Sequence, residues 1–216
     1  MPVITALTPD PRRAGRVDVS VDGTFAATVL AEVVDHLRLH VGGAFGPVQG
    51  AVEAEAALLA TWDRATGLLA ARARSRAELR RLLLRRGEAA ALVDRVIERL
   101  ERAGYLDDAD FARQFARTRA LGRGMSRRRV QQELARRGVA REVADAAIAD
   151  VFSDEGADEY VAVERLARKK LPGLARLDAP TRRRRLYAFL ARRGFGADDI
   201  QRVLRALGES QALEDD

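Results

Sequence analysis

The sequence predicts a mainly α protein built from tandem three-helix repeats in an elongated, curved array, preceded by a small β-hairpin module. Three observations lead there. The tripeptide Arg-Arg-Gly recurs at Arg85-Arg86-Gly87, Arg136-Arg137-Gly138 and Arg192-Arg193-Gly194, at intervals of 51 and 56 residues. The apolar pattern around it recurs in step. The first fifty residues lack that pattern and alternate apolar and polar residues instead. A self-similar period of this length is the signature of stacked supersecondary units, which present an extended binding surface rather than one buried active site.

The N-terminal module, residues 1–50, rests on Val17 to Val21, which alternates with period two, and on Phe25 to Val29. Asp22-Gly23 between them fits a type I′ turn, whose central residues need positive φ. Val3 to Leu7 supplies a third strand, set off by Pro9 and Pro11. Ala31 to Leu39 reads as a short helix ended by Gly42-Gly43.

From Glu53 onward the periodicity is helical. The segments are 53–72, 75–86 and 89–102, then 108–121, 126–137 and 140–151, then 156–171, 179–193 and 197–208. They group into three repeats, 53–106, 107–153 and 154–208, followed by an acidic tail, 209–216. Ser75, Asp107 or Asp108, Ser126, Asp154 and Asp178 stand where N-caps belong. Gly87, Gly104, Gly122, Gly138, Gly194 and Gly208 stand where left-handed helix stops belong. Aligned on the Arg-Arg-Gly glycines, the second helices share Leu79/Leu83, Val130/Leu134 and Leu186/Leu190. The third helices share Val96-Ile97-Leu100, Ala147-Ile148-Val151 and Val203-Leu204-Leu207. The first helices agree less well: Phe111 and Phe115 are answered by Ala162 and Leu166.

Composition narrows the function. Net charge is +6 with pI ≈ 10.5, and Lys169 and Lys170 are the only lysines among 38 basic residues. Such a balance calls for an acidic partner, nucleic acid or protein. There is no cysteine, which removes thiol catalysis and cysteine-bound metal. No apolar run approaches the ~20 residues of a membrane span. A soluble, cytoplasmic, monomeric protein without cofactor is the expectation.

Other signals are weak. Glu32, His36 and His40 are spaced by four, but Leu37 stands where the HExxH metalloprotease motif needs Glu, and Gly42-Gly43 follow at once. Gly122-Arg123-Gly124 lacks the preceding strand and the following Lys-Ser/Thr of a phosphate loop. Trp62 reads as a packing residue. No carboxylate pair stands out as an acid/base couple, so no catalytic residue is assigned.

Gly104-Tyr105-Leu106-Asp107-Asp108 joins one repeat to the next. It reads as a helix stop, two core residues and a cap. In each Arg-Arg-Gly, the second arginine (Arg86, Arg137, Arg193) falls on the apolar stripe at 100° per residue, so its stem is expected at the core edge. The first (Arg85, Arg136, Arg192) points more than a quarter-turn away and shares its flank with Arg81, Arg129 and Arg185. These six arginines form the candidate basic stripe for a partner or DNA.

The pattern resembles the RecX family of recombination regulators. The resemblance is carried by Ser75-Arg76-Ala77-Glu78-Leu79-Arg80, Val93-Asp94-Arg95-Val96-Ile97, Gly104 to Asp108 with Asp110-Phe111-Ala112, Val130 to Leu134, and Phe189 to Phe195 with Asp199-Ile200. It spans roughly residues 56 to 208. It implies a regulator, not an enzyme, that binds the RecA-type recombinase filament on single-stranded DNA. There it would inhibit ATPase, strand exchange and co-protease activity, with roles in DNA repair and the SOS response. It also implies binding of single- and double-stranded DNA. The other reading is a sequence-nonspecific DNA-binding protein built from helix-turn-helix-like repeats.

Overall fold

The computed structural model describes residues 1–153 and 159–214, with the side chains of 159 and 209–214 excepted. The N-terminal sheet is antiparallel with strand order β1-β2-β3: β1 is Ile4–Pro9, β2 Arg16–Val21 and β3 Thr24–Leu30. Asp22 (φ 48°) and Gly23 (φ 81°) make the left-handed pair of the expected turn. A bulge then shifts the register, so that Ser20 pairs with Phe25 and Val19 with Ala27. Pro9 is tolerated because β1 is an edge strand. α1 (Ala31–His36) stops short of the expected Leu39, since Arg38 turns to φ 53°. His40 therefore lies outside the helix, and no three His, Asp or Glu side chains among the described residues could hold a metal.

α2 (Gln49–Ala71) starts before the expected Glu53 and serves two cores. Val52 packs beneath the sheet with Ile4, Val19, Val29 and Phe45. Leu58, Ala65 and Leu68 pack instead with α3 (Arg76–Arg85) and α4 (Ala90–Arg102), against Leu79, Leu83, Val96, Ile97 and Leu100. Arg16 donates two hydrogen bonds of 2.5 Å to the Asp63 carboxylate, tying β2 to α2. This clamp holds the carboxyl of Asp63 below the usual carboxylate range.

The second repeat is α5 (Asp108–Arg117), α6 (Arg127–Arg136) and α7 (Arg141–Ser153), around Ala112, Ala116, Val130, Leu134, Ile148 and Val151. The third is α8 (Glu159–Lys170), α9 (Ala179–Arg192) and α10 (Ala197–Glu214), around Val163, Ala167, Leu186, Leu190, Ile200 and Val203. The chain separates into two compact units: Met1–Arg74 with Leu79–Leu106, and Ser75–Glu78 with Asp107–Asp216. The first turn of α3 thus belongs with the second unit.

The alignment left loose in the first helices has a definite answer. Thr61/Ala65, Ala112/Ala116 and Val163/Ala167 recur at intervals of 51 and are all fully buried. Small side chains at the deepest positions let the helices approach closely, which a search for large apolar residues overlooks. Of the five extra residues of the second glycine interval, four lengthen α9 itself and one falls between α8 and α9. A 3₁₀ turn (Leu171–Leu174) sits there, and α9 runs 14 residues against 10 for α3 and α6.

Some helix ends differ from expectation. Gly87, Gly104, Gly138 and Gly194 do take positive φ. Gly122 does not. α5 runs on through a π-helical turn (Thr118–Gly122), and Gly124, at φ 57°, makes the left-handed break against Leu166. Gly208 lies inside α10, which continues to Glu214 where a tail was expected. The cap expected at Asp154 lies outside the described residues, as do residues 215–216.

Candidate binding surface

The ends of the second helices are specialised. Ser75 and Ser126 cap α3 and α6 by accepting from the amides of Glu78 (3.1 Å) and Arg129 (3.2 Å). Both serines are buried, because each also meets the Arg-Gly end of another second helix. The Ser75 hydroxyl donates to the carbonyl of Arg137 at 2.6 Å. The Ser126 amide donates to the carbonyl of Arg193 at 3.4 Å. Asp108 assists by accepting from the Arg76 amide at 2.7 Å, while Asp107 caps its own helix through the amides of Ala109 and Asp110. Those two amides draw the Asp107 carboxyl below its ordinary range. The Gly104 to Asp108 segment therefore serves folding, with one correction: Leu106 is buried, but Tyr105 is 64% exposed and sets its ring edge-on to Trp62 at 6.0 Å.

Three second arginines were expected at a core edge. Two are there. Arg137 donates to Glu78 at 2.6 Å and lies 4.7 Å from the Phe115 ring centre. Arg193 lies 4.8 Å over Phe189 and donates to the carbonyl of Arg123. Arg86 is exposed instead. The residue one period before Phe115 is Arg64, a like charge paired with Glu88, so the stem of Arg86 has no such ring to cover.

Of the six stripe candidates, Arg81, Arg85, Arg136, Arg185 and Arg192 are exposed. The side chains of Arg85, Arg185 and Arg192 make no hydrogen bond or ion pair among the described residues. Arg129 is different. It is half-buried and paired at 3.4 Å with Glu133, which Arg119 also holds at 3.4 Å. Its charge is largely answered within the fold.

A second basic feature was not assigned from sequence. An open cavity of about 830 Å³ in the second unit is lined by Leu121, Gly122, Arg123, Gly124, Met125, Arg165, Leu166, Lys169, Lys170, Phe189 and Arg193. Arg123, Arg165, Lys169 and Lys170 are exposed at its edge, and no carboxylate among the described residues lines it. The floor is Leu121, Met125, Leu166 and Phe189. Arg165 and Lys169 were legible as an i, i+4 pair, since such residues share one helical face. The cavity itself was not legible, because the π-helical turn that carries Leu121 and Gly122 to it has no sequence signature. No helix among the described residues is long and apolar enough to cross a membrane.

Comparison with known proteins agrees with this architecture. Family models described as the first, second and third three-helix domains of RecX match residues 62–100, 107–148 and 157–204. The chain is 39% identical over 153 residues to the regulatory protein RecX of Amycolatopsis mediterranei (strain U-32), covering 69% of this chain and 86% of that one. It is 41% identical over 133 residues to the regulatory protein RecX of Mycolicibacterium vanbaalenii, covering 59% and 71%. A crystal structure of regulatory protein RecX superposes with a TM-score of 0.75 at 19% identity, over 94% of this chain and 98% of that one. That of RecX from Lactobacillus salivarius gives 0.59 at 16%, over 70% and 97%. With three consecutive three-helix domains and relatives matched over most of their length, the chain belongs to the RecX family of regulatory proteins.

Proposed function

We propose that the protein binds the RecA-type recombinase filament on single-stranded DNA and inhibits its ATPase, strand-exchange and co-protease activities, acting as a monomer in the cytoplasm during DNA repair and the SOS response. Family membership carries this reading. The exposed arginines support it, since guanidinium groups at the surface pair readily with carboxylates or phosphates. Arg81, Arg85, Arg136, Arg185 and Arg192 are the candidate contacts, with Arg129 in a supporting position.

The test is to reverse Arg85, Arg136 and Arg192 together to Glu, and to measure recombinase ATPase on single-stranded DNA and co-sedimentation with preformed filaments. Inhibition and co-sedimentation should both fall while circular dichroism stays unchanged. Full inhibition by the folded variant would overturn the arginine assignment. A parent protein that leaves the recombinase untouched, yet binds naked DNA tightly and with steep salt dependence, would make DNA the main target instead.

A further inference from the structure

We infer that the cavity of the second unit is a single-stranded nucleic-acid site, holding phosphates at its basic rim and a base on its apolar floor. The inference rests on the proposed role at single-stranded DNA and adds a site separate from the arginine stripe. The rim comes first. Arg165 and Lys169 lie one turn apart on α8, ~6 Å along the axis. That is close to the separation of successive phosphates along a strand. Lys170 and Arg123 extend the rim, and no lining residue among those described carries negative charge. The side chains of Arg123, Arg165 and Lys169 make no hydrogen bond or ion pair among the described residues, so binding an anion costs no internal pair.

The floor decides which polyanion fits. Leu121 is 37% exposed and lines the cavity with Met125 and Leu166. A duplex buries its base faces and could use only the rim. A single strand can turn a base inward and gain apolar contact as well. Phe189 contributes indirectly. Its ring carries the Arg193 guanidinium at 4.8 Å and the Lys170 ammonium at 5.7 Å, which fixes both cations near the opening. The fold builds the cavity deliberately: the π-helical turn advances Leu121 and Gly122 toward α8, and Gly124 approaches Leu166 so closely that an added Cβ would come within 2.9 Å of its Cδ1. π-helical turns inside α-helices are frequent at functional sites.

The test uses the full chain without recombinase and a fluorescein-labelled oligo(dT), followed by anisotropy. A variant carrying Arg123→Glu, Arg165→Glu, Lys169→Glu and Lys170→Glu should bind at least about tenfold more weakly. Its log–log salt dependence should be shallower by roughly 3, at about 0.7 for each of four phosphates. The same positions changed to Gln give a milder loss and keep the test valid should the reversed variant misfold. Arg12→Glu, Arg86→Glu, Arg95→Glu and Arg205→Glu together control for net charge and should bind nearly as the parent does. An abasic strand of equal length should bind the parent several-fold more weakly than oligo(dT). Parental affinity and salt slope in the cavity variant would overturn the site. Loss of polyglutamate binding with oligo(dT) binding intact would make it a protein site. Equal binding of the abasic strand would remove the base from the floor. Loss of filament co-sedimentation by the parent would instead count against the proposed function, so the two failures are distinguishable.

Discussion

Gly87 and Gly194 end the same tripeptide with nearly the same backbone, φ 87° and 91°, in different surroundings. An added Cβ at Gly87 meets nothing within 4 Å. At Gly194 it would stand 2.5 Å from Ser126 Oγ and 2.7 Å from Arg129 Cβ. Alanine at either site pays left-handed strain of about 1–2 kcal/mol. At Gly194 two further costs arise. Arg129 Cβ is rooted in α6, so relieving the overlap must move the helix, at ~1–3 kcal/mol. Displacing the Ser126 hydroxyl also weakens the cap on the Arg129 amide, by ~1 kcal/mol. Gly194→Ala should therefore cost roughly 3–6 kcal/mol and Gly87→Ala about 1–2. At ~2–4 °C per kcal/mol for a chain of this size, the melting temperatures should separate by several degrees. Urea unfolding followed by circular dichroism measures both. Amide exchange in the first turn of α6 should quicken only in Gly194→Ala. Equal losses at the two glycines, with unchanged exchange at α6, would refute the claim that this helix end is packed rather than merely terminated.

Two further outcomes follow from pairings described above. Ser75→Ala removes both the cap on Glu78 and the bond to the Arg137 carbonyl from a buried site, and should cost about 1–2 kcal/mol, read by urea unfolding and by faster exchange of the Glu78 amide. Asp63 is held charged by Arg16, so its contribution is complete above the ordinary carboxylate pKa and is lost as pH falls through the lowered folded value. Asp63→Asn should lose about 1–2 kcal/mol near neutral pH, discounted for partial exposure, and converge with the parent in acid. The fluorescence of neighbouring Trp62 would follow it, and a constant gap down to pH 2 would contradict the assignment.

How legible all this was depended on side-chain size and on distance along the chain. The second helices announce themselves because Leu79/Leu83, Val130/Leu134 and Leu186/Leu190 are large and spaced by one turn. The first helices are harder to align because their buried stripe is Thr61, Ala65, Ala112 and Ala116, small residues that do not stand out in a chain so rich in alanine. Helix stops were legible where glycine ends a helix in the left-handed region. They were not legible at Gly122, where the helix widens into a π-turn, or at Gly208, where nothing forces a break. Helical phase set the exposed Arg136 and Arg192 apart from the half-buried Arg137 and Arg193, but it could not show that Glu133 answers Arg129. Phase alone also missed that Arg86 lacks the ring that Arg137 and Arg193 enjoy. Of the basic cavity only the Arg165 and Lys169 pair was legible, since its rim comes from segments forty residues apart.

The joints at Arg137 and Arg193 have a consequence for how this architecture drifts. In both, a serine at one helix head addresses a carbonyl oxygen of the main chain at another helix's end. A carbonyl is present whatever side chain the residue bears. The contact thus demands a small capping residue on one side and a left-handed stop on the other, and leaves the intervening letters unconstrained. Substitution can then accumulate over most of each helix without disturbing how its ends meet. A shared fold at 19% identity is what such a grammar permits, with the freed positions open to selection for whatever each relative binds.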